Sequence, residues 1–283
     1  MENKILVTGA TGNIGSEIVK QLKAKKANFI AATSNGDAIN GMETVKFNFA
    51  DNDSIKNAFQ DITTLFLLLP SHPEAAAWGE NAIRLAKESG VKHIVRSSGM
   101  FANADSDLLI EKLLGSTDKF LKESGINYTI TAPSSFMQNF STQIVNDYKA
   151  GVIYQAADVA KISWVDTRDI AAVNVEVLLN PANYLNETLI ITGSESFNYA
   201  EAISKMNSIL GKETQYVAIP NEAAVKAMAD MHFPEFIIDL LISLNDSIKQ
   251  GRFVEITNTI EDVLGRKAIT FNQFVEDNRD IWI

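Results

Sequence analysis

Between residues 4 and 131, short apolar runs alternate with stretches in which apolar residues return every three or four positions. The first pattern is that of buried strands and the second that of helices with one covered face. Strands are predicted at Lys4–Thr8, Asn28–Thr33, Thr44–Phe49, Thr64–Leu69, His93–Ser97 and Tyr128–Thr131, with helices near 13–26, 53–60, 74–89 and 107–124. The run TLFLLL is apolar at nearly every position, as a strand covered on both sheet faces must be. Strict alternation with short connections predicts an α/β fold with a doubly wound parallel sheet.

After Pro133 the rhythm changes. KISWVDTRDIAAVNVEVLL reads as a strand and a helix, ETLIITG as another strand, and amphipathic helices follow near 198–210 and 221–249. No Pro- or Ser-rich linker and no internal repeat interrupts the chain. The expected division is a Rossmann-type domain at 1–150 and a smaller lobe at 151–283, with 161–193 returning to the sheet.

Composition narrows the function. The 283 residues carry 25 Lys and Arg against 35 Asp and Glu, a net charge of −10, which disfavours nucleic acid as a partner. Lys20, Lys23, Lys25 and Lys26 form the one basic cluster, and they sit where a helix C-terminus welcomes positive charge. With no cysteine there is no disulfide, thiol nucleophile or Cys-ligated metal, and a reducing cytoplasm fits. His72, His93 and His232 are scattered without partners at metal-ligand spacing, so no metal site is expected. The opening residues lack the features of a secretory signal, the mature chain is expected to start at Met1 or Glu2, and no apolar run is long enough for a membrane span.

VTGATGNIGSE places glycines at 9, 12 and 15 between the first strand and the first helix. A dinucleotide pyrophosphate is held by free amides at a helix N-terminus, and a Cβ in the turn would obstruct it. Gly9 allows the tight turn, Gly12 the approach of phosphate and Gly15 close helix packing. Thr11, Asn13 and Ile14 complete the expected contact loop. Such a spacing alone also occurs in purely structural turns. Here the strand before it and the helix face Ile14, Ile18, Val19 and Leu22 after it support the nucleotide reading.

At the end of the second strand an acidic residue would read the ribose hydroxyl of NAD and an arginine the phosphate of NADP. This chain has Thr33, Ser34 and Asn35, which favours NADP, with NAD as the alternative because Asp37 is near. Asp51 is either an adenine contact or a helix cap. Leu69 and Pro70 are expected to wall the cofactor at the end of the fourth strand.

Taken with GVKHIVRSSG, SGINYTITAPSSFMQNF and KISWVDTRDIAA in that order, the chain resembles the NmrA-like branch of the atypical short-chain dehydrogenases nearly end to end. The resemblance implies a Rossmann domain, a C-terminal substrate lobe, and relatives of the quinone oxidoreductase, triphenylmethane reductase and agroclavine dehydrogenase types. Three departures stand out. No tyrosine has a lysine four residues later, so the conventional proton-transfer pair is missing. The helix position where relatives often carry Lys or His falls at Leu114, leaving Lys112 as the nearest basic candidate, about 200° away around a helix. Ala132 and Ser34 stand where the family usually has arginines.

By the same resemblance Ser97 and Ser98 are the catalytic hydroxyl candidates, while Met100, Phe101, Phe136, Met137 and Gln138 are candidates to line a substrate cleft. Each has a packing or turn role as its alternative. Asp166 and Asp169 have the spacing of a helix capping box, which is the preferred reading of that pair. The expected function is an NAD(P)H-dependent reductase acting on a small apolar quinone, enone or iminium, compatible with a homodimer. A non-catalytic nucleotide sensor is the alternative, and a sugar-nucleotide epimerase is disfavoured by the missing Tyr-x-x-x-Lys.

Overall fold

The computed structural model describes residues 3–39, 41–157 and 159–283. The expected chain start at Met1 or Glu2 lies outside them. The first half contains β1 (Ile5–Val7), α1 (Asn13–Ala24), β2 (Phe29–Thr33), β3 (Thr44–Lys46), α2 (Asn52–Ala58), β4 (Thr64–Leu67), α3 (Ala75–Glu88), β5 (His93–Ser97), α4 (Leu109–Glu123) and β6 (Asn127–Pro133). Then come α5 (Asn139–Thr142), α6 (Val145–Ala150), β7 (Val152–Gln155), α7 (Thr167–Leu179) and β8 (Glu187–Ile191). The chain closes with α8 (Tyr199–Leu210), β9 (Gln215–Ala218), α9 (Asn221–Asp230), α10 (Glu235–Lys249), α11 (Thr259–Leu264) and α12 (Phe271–Asp277).

The chain forms two compact units. One comprises Met1–Asp105, Leu113–Ala132 and Ile170–Leu189, and the other Ser106–Lys112, Pro133–Asp169 and Ile190–Ile283. A single division at residue 150 therefore does not describe the units. Of the expected returning segment 161–193, only 170–189 belongs to the first.

A seven-stranded sheet runs in the order β3-β2-β1-β4-β5-β6-β8. Parallel pairings join β1 to β2 and β4, β2 to β3, β4 to β5, and β5 to β6. The order reverses between β1 and β4, where open α/β sheets bind ligands beyond their strand ends. Leu65, Phe66 and Leu67 are wholly buried, as a doubly covered strand requires. The expected continuation of β4 stops at Leu67 because the Leu68 amide donates to the Thr8 hydroxyl at 2.9 Å instead of extending the ladder. β3 likewise ends at Lys46, short of the expected Phe49, because Asn48 starts the turn that the Asp51 amide closes onto its carbonyl.

In the second unit β7 and β9 pair in parallel, and aromatic rings form the core. Phe140 packs edge-on against Trp164 and Phe271 with ring centres 4.8 and 5.0 Å away, and the Trp282 indole donates to the Phe140 carbonyl. The helical stretch expected at 221–249 is two helices. Pro234 ends the possibility of a continuous ladder, and His232 takes a left-handed φ of 61° in the turn.

Asp166 and Asp169 start α7 without the reciprocal bonds of a capping box. Asp166 accepts from the Arg168 amide and guanidinium and from Gln138 Nε2, whereas Asp169 accepts from the Ile269 amide and pairs with Arg266 at 2.7 Å. Their role is structural: Asp166 satisfies the Arg168 amide at the start of α7 and braces Gln138, while Asp169 ties the helix to Ile269 and Arg266.

Candidate cofactor site

The site begins where β1 runs into α1. The Thr8 hydroxyl donates to the Phe66 carbonyl at 3.0 Å, fixing the first residue beyond β1 against β4. Gly9 then turns the chain with φ +64°, a left-handed conformation that L side chains rarely adopt, and a Cβ there would lie 2.9 Å from Leu68 Cδ2. Gly15 cannot carry a side chain either, since its Cβ would come 2.1 Å from the Gly9 carbonyl oxygen.

Gly12 differs from both. It is the N-cap of α1 in an extended conformation, exposed, and a Cβ added to it would meet nothing closer than the Gly9 carbonyl oxygen at 3.4 Å. The fold itself has room for a methyl group at this point. The first helical hydrogen bond of α1 runs from the Ser16 amide to the Gly12 carbonyl, so the ladder leaves the amides of Asn13, Ile14 and Gly15 unused. No acidic side chain sits in that first turn to offset the helix dipole. Thr11 and Asn13 are exposed beside Gly12, while the Ile14 side chain is buried and can offer a ligand only its backbone.

A cleft of about 390 Å³ opens above this turn. Its floor is Thr8, Gly9, Thr11 and Gly12, one side is Thr33 and Ser34 at the end of β2, and the opposite side is Leu68, Leu69 and Pro70 after β4. Phe47, Asn48, Phe49 and Trp78 close the far end. The Phe49 and Trp78 rings lie 10° from parallel at 6.1 Å, and His72 stacks on Trp78 at 4.1 Å. Sequence reasoning missed this aromatic wall. Two phenylalanines flanking Asn48 at a strand end were the available signal, but Trp78 lies 29 residues beyond Phe49 and reaches the wall only through the packing of α3.

Two expected cofactor contacts are engaged elsewhere. Asn35 donates to the Asp37 carboxylate and accepts from the Asp37 amide, forming a local turn that also ties up Asp37. Asp51 is the N-cap of α2, accepting from the amides of Asp53 and Ser54, and pairs with Lys46 at 2.9 Å. The hydrogen bond from Lys46 is the main reason its carboxyl is held below the usual range. The capping alternative is thus the role the fold gives Asp51, and it does not line the cleft.

At the end of β5 the two serines diverge. Ser97 is 2% exposed and its hydroxyl has no hydrogen-bond partner. Ser98 is half-buried, and its hydroxyl donates to Asp118 on α4 at 2.5 Å. Beneath it Arg96, 1% exposed, lies 3.6 Å from the same carboxylate. Met100 and Phe101 are half-buried in the same unit.

The model of the NmrA-like family matches residues 1–272. The chain belongs to the NmrA-like family. This NmrA-like protein is 32% identical over 277 residues to an NAD(P)H azoreductase of Xenophilus azovorans, with 96% of each chain covered. Among solved structures it is similar to a nucleoside-diphosphate-sugar epimerase from Staphylococcus aureus, with a TM-score of 0.85, 21% identity, and 97% and 99% of the two chains covered. It is equally similar to the NADPH complex of an NADPH-dependent quinone oxidoreductase from Escherichia coli, with a TM-score of 0.85, 22% identity, and 96% and 99% covered.

The remaining candidates of this NmrA-like protein lie in the second unit. Lys112 is exposed there, while Ser97 and Ser98 belong to the first. Phe136 is half-buried, but Met137 is 2% exposed and is a core residue. Gln138 uses both ends of its amide, donating to Asp166 and accepting from the Thr167 amide, each at 2.9 Å. That makes it a brace for the start of α7. Among the described residues, no group of three or more His, Cys, Asp or Glu could hold a metal ion, and no helix is long and apolar enough to cross a membrane.

Proposed function

We propose that this NmrA-like protein is an NAD(P)H-dependent reductase that passes hydride to a small, flat, largely apolar acceptor, such as a quinone, an enone or an iminium. The azo bond reduced by its 32% identical relative belongs to the same class of electrophile. The observation that carries the reading is Gly12: a surface the fold does not need bare, at a helix N-terminus with unused amides, facing a cleft.

The residues divide the work by position. Amides at the start of α1 hold the pyrophosphate, and the aromatic wall takes the adenine face. Thr33 and Ser34 flank the adenosine ribose, where no carboxylate is among the residues lining the cleft to repel a 2′-phosphate. NADP is therefore preferred over NAD. Leu68, Leu69 and Pro70 give the cleft an apolar wall on the β4 side. Bound in this way, NADPH supplies the hydride.

No tyrosine is followed four residues later by a lysine, so the proton-transfer pair an epimerase or a carbonyl reductase of the conventional type uses is absent. Electrophiles that accept hydride with little acid assistance remain within reach of a site that mainly orients two flat molecules. Stopped-flow oxidation of NADPH with a panel of quinones, azo dyes and enones tests the proposal. Turnover with at least one member is expected; tight NADPH binding with no oxidation by any of them would favour the sensor alternative.

A further inference from the structure

The chain has two Asn-Gly pairs, at 35–36 and 40–41, and Asn40 lies outside the described residues. Asn35 follows Ser34 just past the end of β2, and Ser34 lines the cleft. Asn35 is open to water, and the residue after it has no Cβ to shield its backbone nitrogen. Gly36 takes φ +84°, a conformation that another residue would adopt only with strain.

The turn holds the Asn35 side chain by both ends. The Asp37 N–H donates to Asn35 Oδ1 at 3.1 Å, and Asn35 Nδ2 donates to Asp37 Oδ2. The first of these bonds points at the oxygen on which negative charge grows when a nucleophile adds to Cγ. The nucleophile at hand is the Gly36 nitrogen. Its N–H donates to the Thr33 hydroxyl at 3.0 Å, a bond that is given up before attack.

Attack joins the Gly36 nitrogen to Asn35 Cγ and closes a cyclic imide. The Cγ–Nδ2 bond breaks, and the side-chain nitrogen leaves as ammonia with the proton of the Gly36 amide. Water then opens the ring at either carbonyl, giving aspartate or isoaspartate without oxidant or reductant. Both products carry a carboxylate in this turn, and neither keeps the Nδ2 donor. Where the amide bonded Asp37, two carboxylates now repel, so the turn opens with added negative charge beside Ser34. Lys46, packed beside Gly36, is already paired with Asp51 at 2.9 Å.

We propose that Asn35 is a self-modification site: it converts to aspartate and isoaspartate in the folded protein, and the new carboxylate turns the cofactor preference from NADP toward NAD. The change of preference rests on the cofactor reading above; the conversion itself does not. A 2′-phosphate near Ser34 meets added negative charge, whereas a 2′-hydroxyl meets an acceptor.

For the test, folded protein is kept in mildly alkaline buffer, and aliquots are digested with trypsin. Fragmentation mass spectrometry then places each change from amide to acid at Asn35 or Asn40. Asn35 is expected to convert while the melting curve remains that of a folded protein. Calorimetry on the converted sample should show NADP weakened about tenfold and NAD unchanged or tighter. Freshly purified Asn35→Asp should show the same shift from the start. Asn35→Ser, whose hydroxyl can accept from the Asp37 amide, should hold its NADP affinity through the incubation. An Asn35 that stays intact in the folded protein while the denatured chain converts overturns the proposal. So does conversion with an unchanged ratio of NADP to NAD affinity, or an equal loss of NADP affinity in incubated Asn35→Ser. Fresh wild-type protein that binds neither nucleotide overturns the cofactor reading and the shift with it, while the mass spectra still decide the conversion.

Discussion

The rings of His72 and Trp78 stack with centres 4.1 Å apart and planes 14° from parallel, so the indole is held face-on against its neighbours at the edge of the cleft. Phe49 lies nearly parallel on the same indole, and the Glu74 amide donates to His72 Nδ1 at 3.1 Å, holding the imidazole in place. The wall is thus preorganised for a flat ring.

Of the three tryptophans, Trp164 and Trp282 are fully buried in the second unit and Trp78 alone lines the cleft. Binding of NADPH should therefore quench mainly Trp78 emission. Trp78→Phe is expected to remove most of the quench and to weaken NADPH by about fivefold, the loss of part of an aromatic contact. A full quench in Trp78→Phe would place the nucleotide elsewhere.

Ser34 borders the cleft at the end of β2, and no carboxylate is among the lining residues. Ser34→Asp introduces one. The added charge should weaken NADP by about tenfold through repulsion of the 2′-phosphate and leave NAD equal or improved. Equal losses for both nucleotides, read by calorimetry, would remove Ser34 from the ribose site.

His93 is a buried neutral imidazole. The Thr129 hydroxyl donates to the Tyr184 carbonyl at 2.7 Å, so its oxygen accepts the Nε2–H of His93 at 2.9 Å, and Nδ1 has no partner. Burial pushes this ring down from 6.5 to about 4. As pH falls through 6.5 the unfolded chain takes up a proton that the folded one refuses until about pH 4, so stability is lost across that window and levels off below it. The loss is on the order of 3 kcal/mol. His93→Gln keeps the donor to Thr129 and should flatten the dependence of the melting temperature on pH by that share. An unchanged slope would mean that His93 titrates normally.

Much of the scaffold was legible in the chain because its strands are covered on both faces and its helices on one. His93–Ser97 coincides with β5, and TLFLLL contains β4. Strand ends were less legible where a side chain intercepts the ladder, as Thr8 does at Leu68. The glycine turn could be read because two of its glycines answer a local steric demand, Gly9 through its left-handed φ and Gly15 through its contact with the Gly9 carbonyl. Residues that act through tertiary partners could not. Nothing in the spacing of Ser98 and Asp118, of Phe49 and Trp78, or of Asp169 and Ile269 announces that they meet. Asn35, Asp51 and Gln138 had the right chemistry for ligands, and the fold uses it on their own neighbours.

Gly12 and Gly15 separate fold from function within one turn. Gly15→Ala should destabilise the protein by several kcal/mol or prevent folding, since its methyl group would enter the Gly9 carbonyl. Gly12→Ala should melt within about 3 °C of the wild type, because its backbone suits alanine and its Cβ meets an ordinary contact distance. The decisive measurement is the dissociation constant of NADPH for Gly12→Ala, alongside that melting curve. A folded variant whose NADPH binding is weakened tenfold or more is the predicted result; a folded variant that binds NADPH as tightly as the wild type would contradict the account.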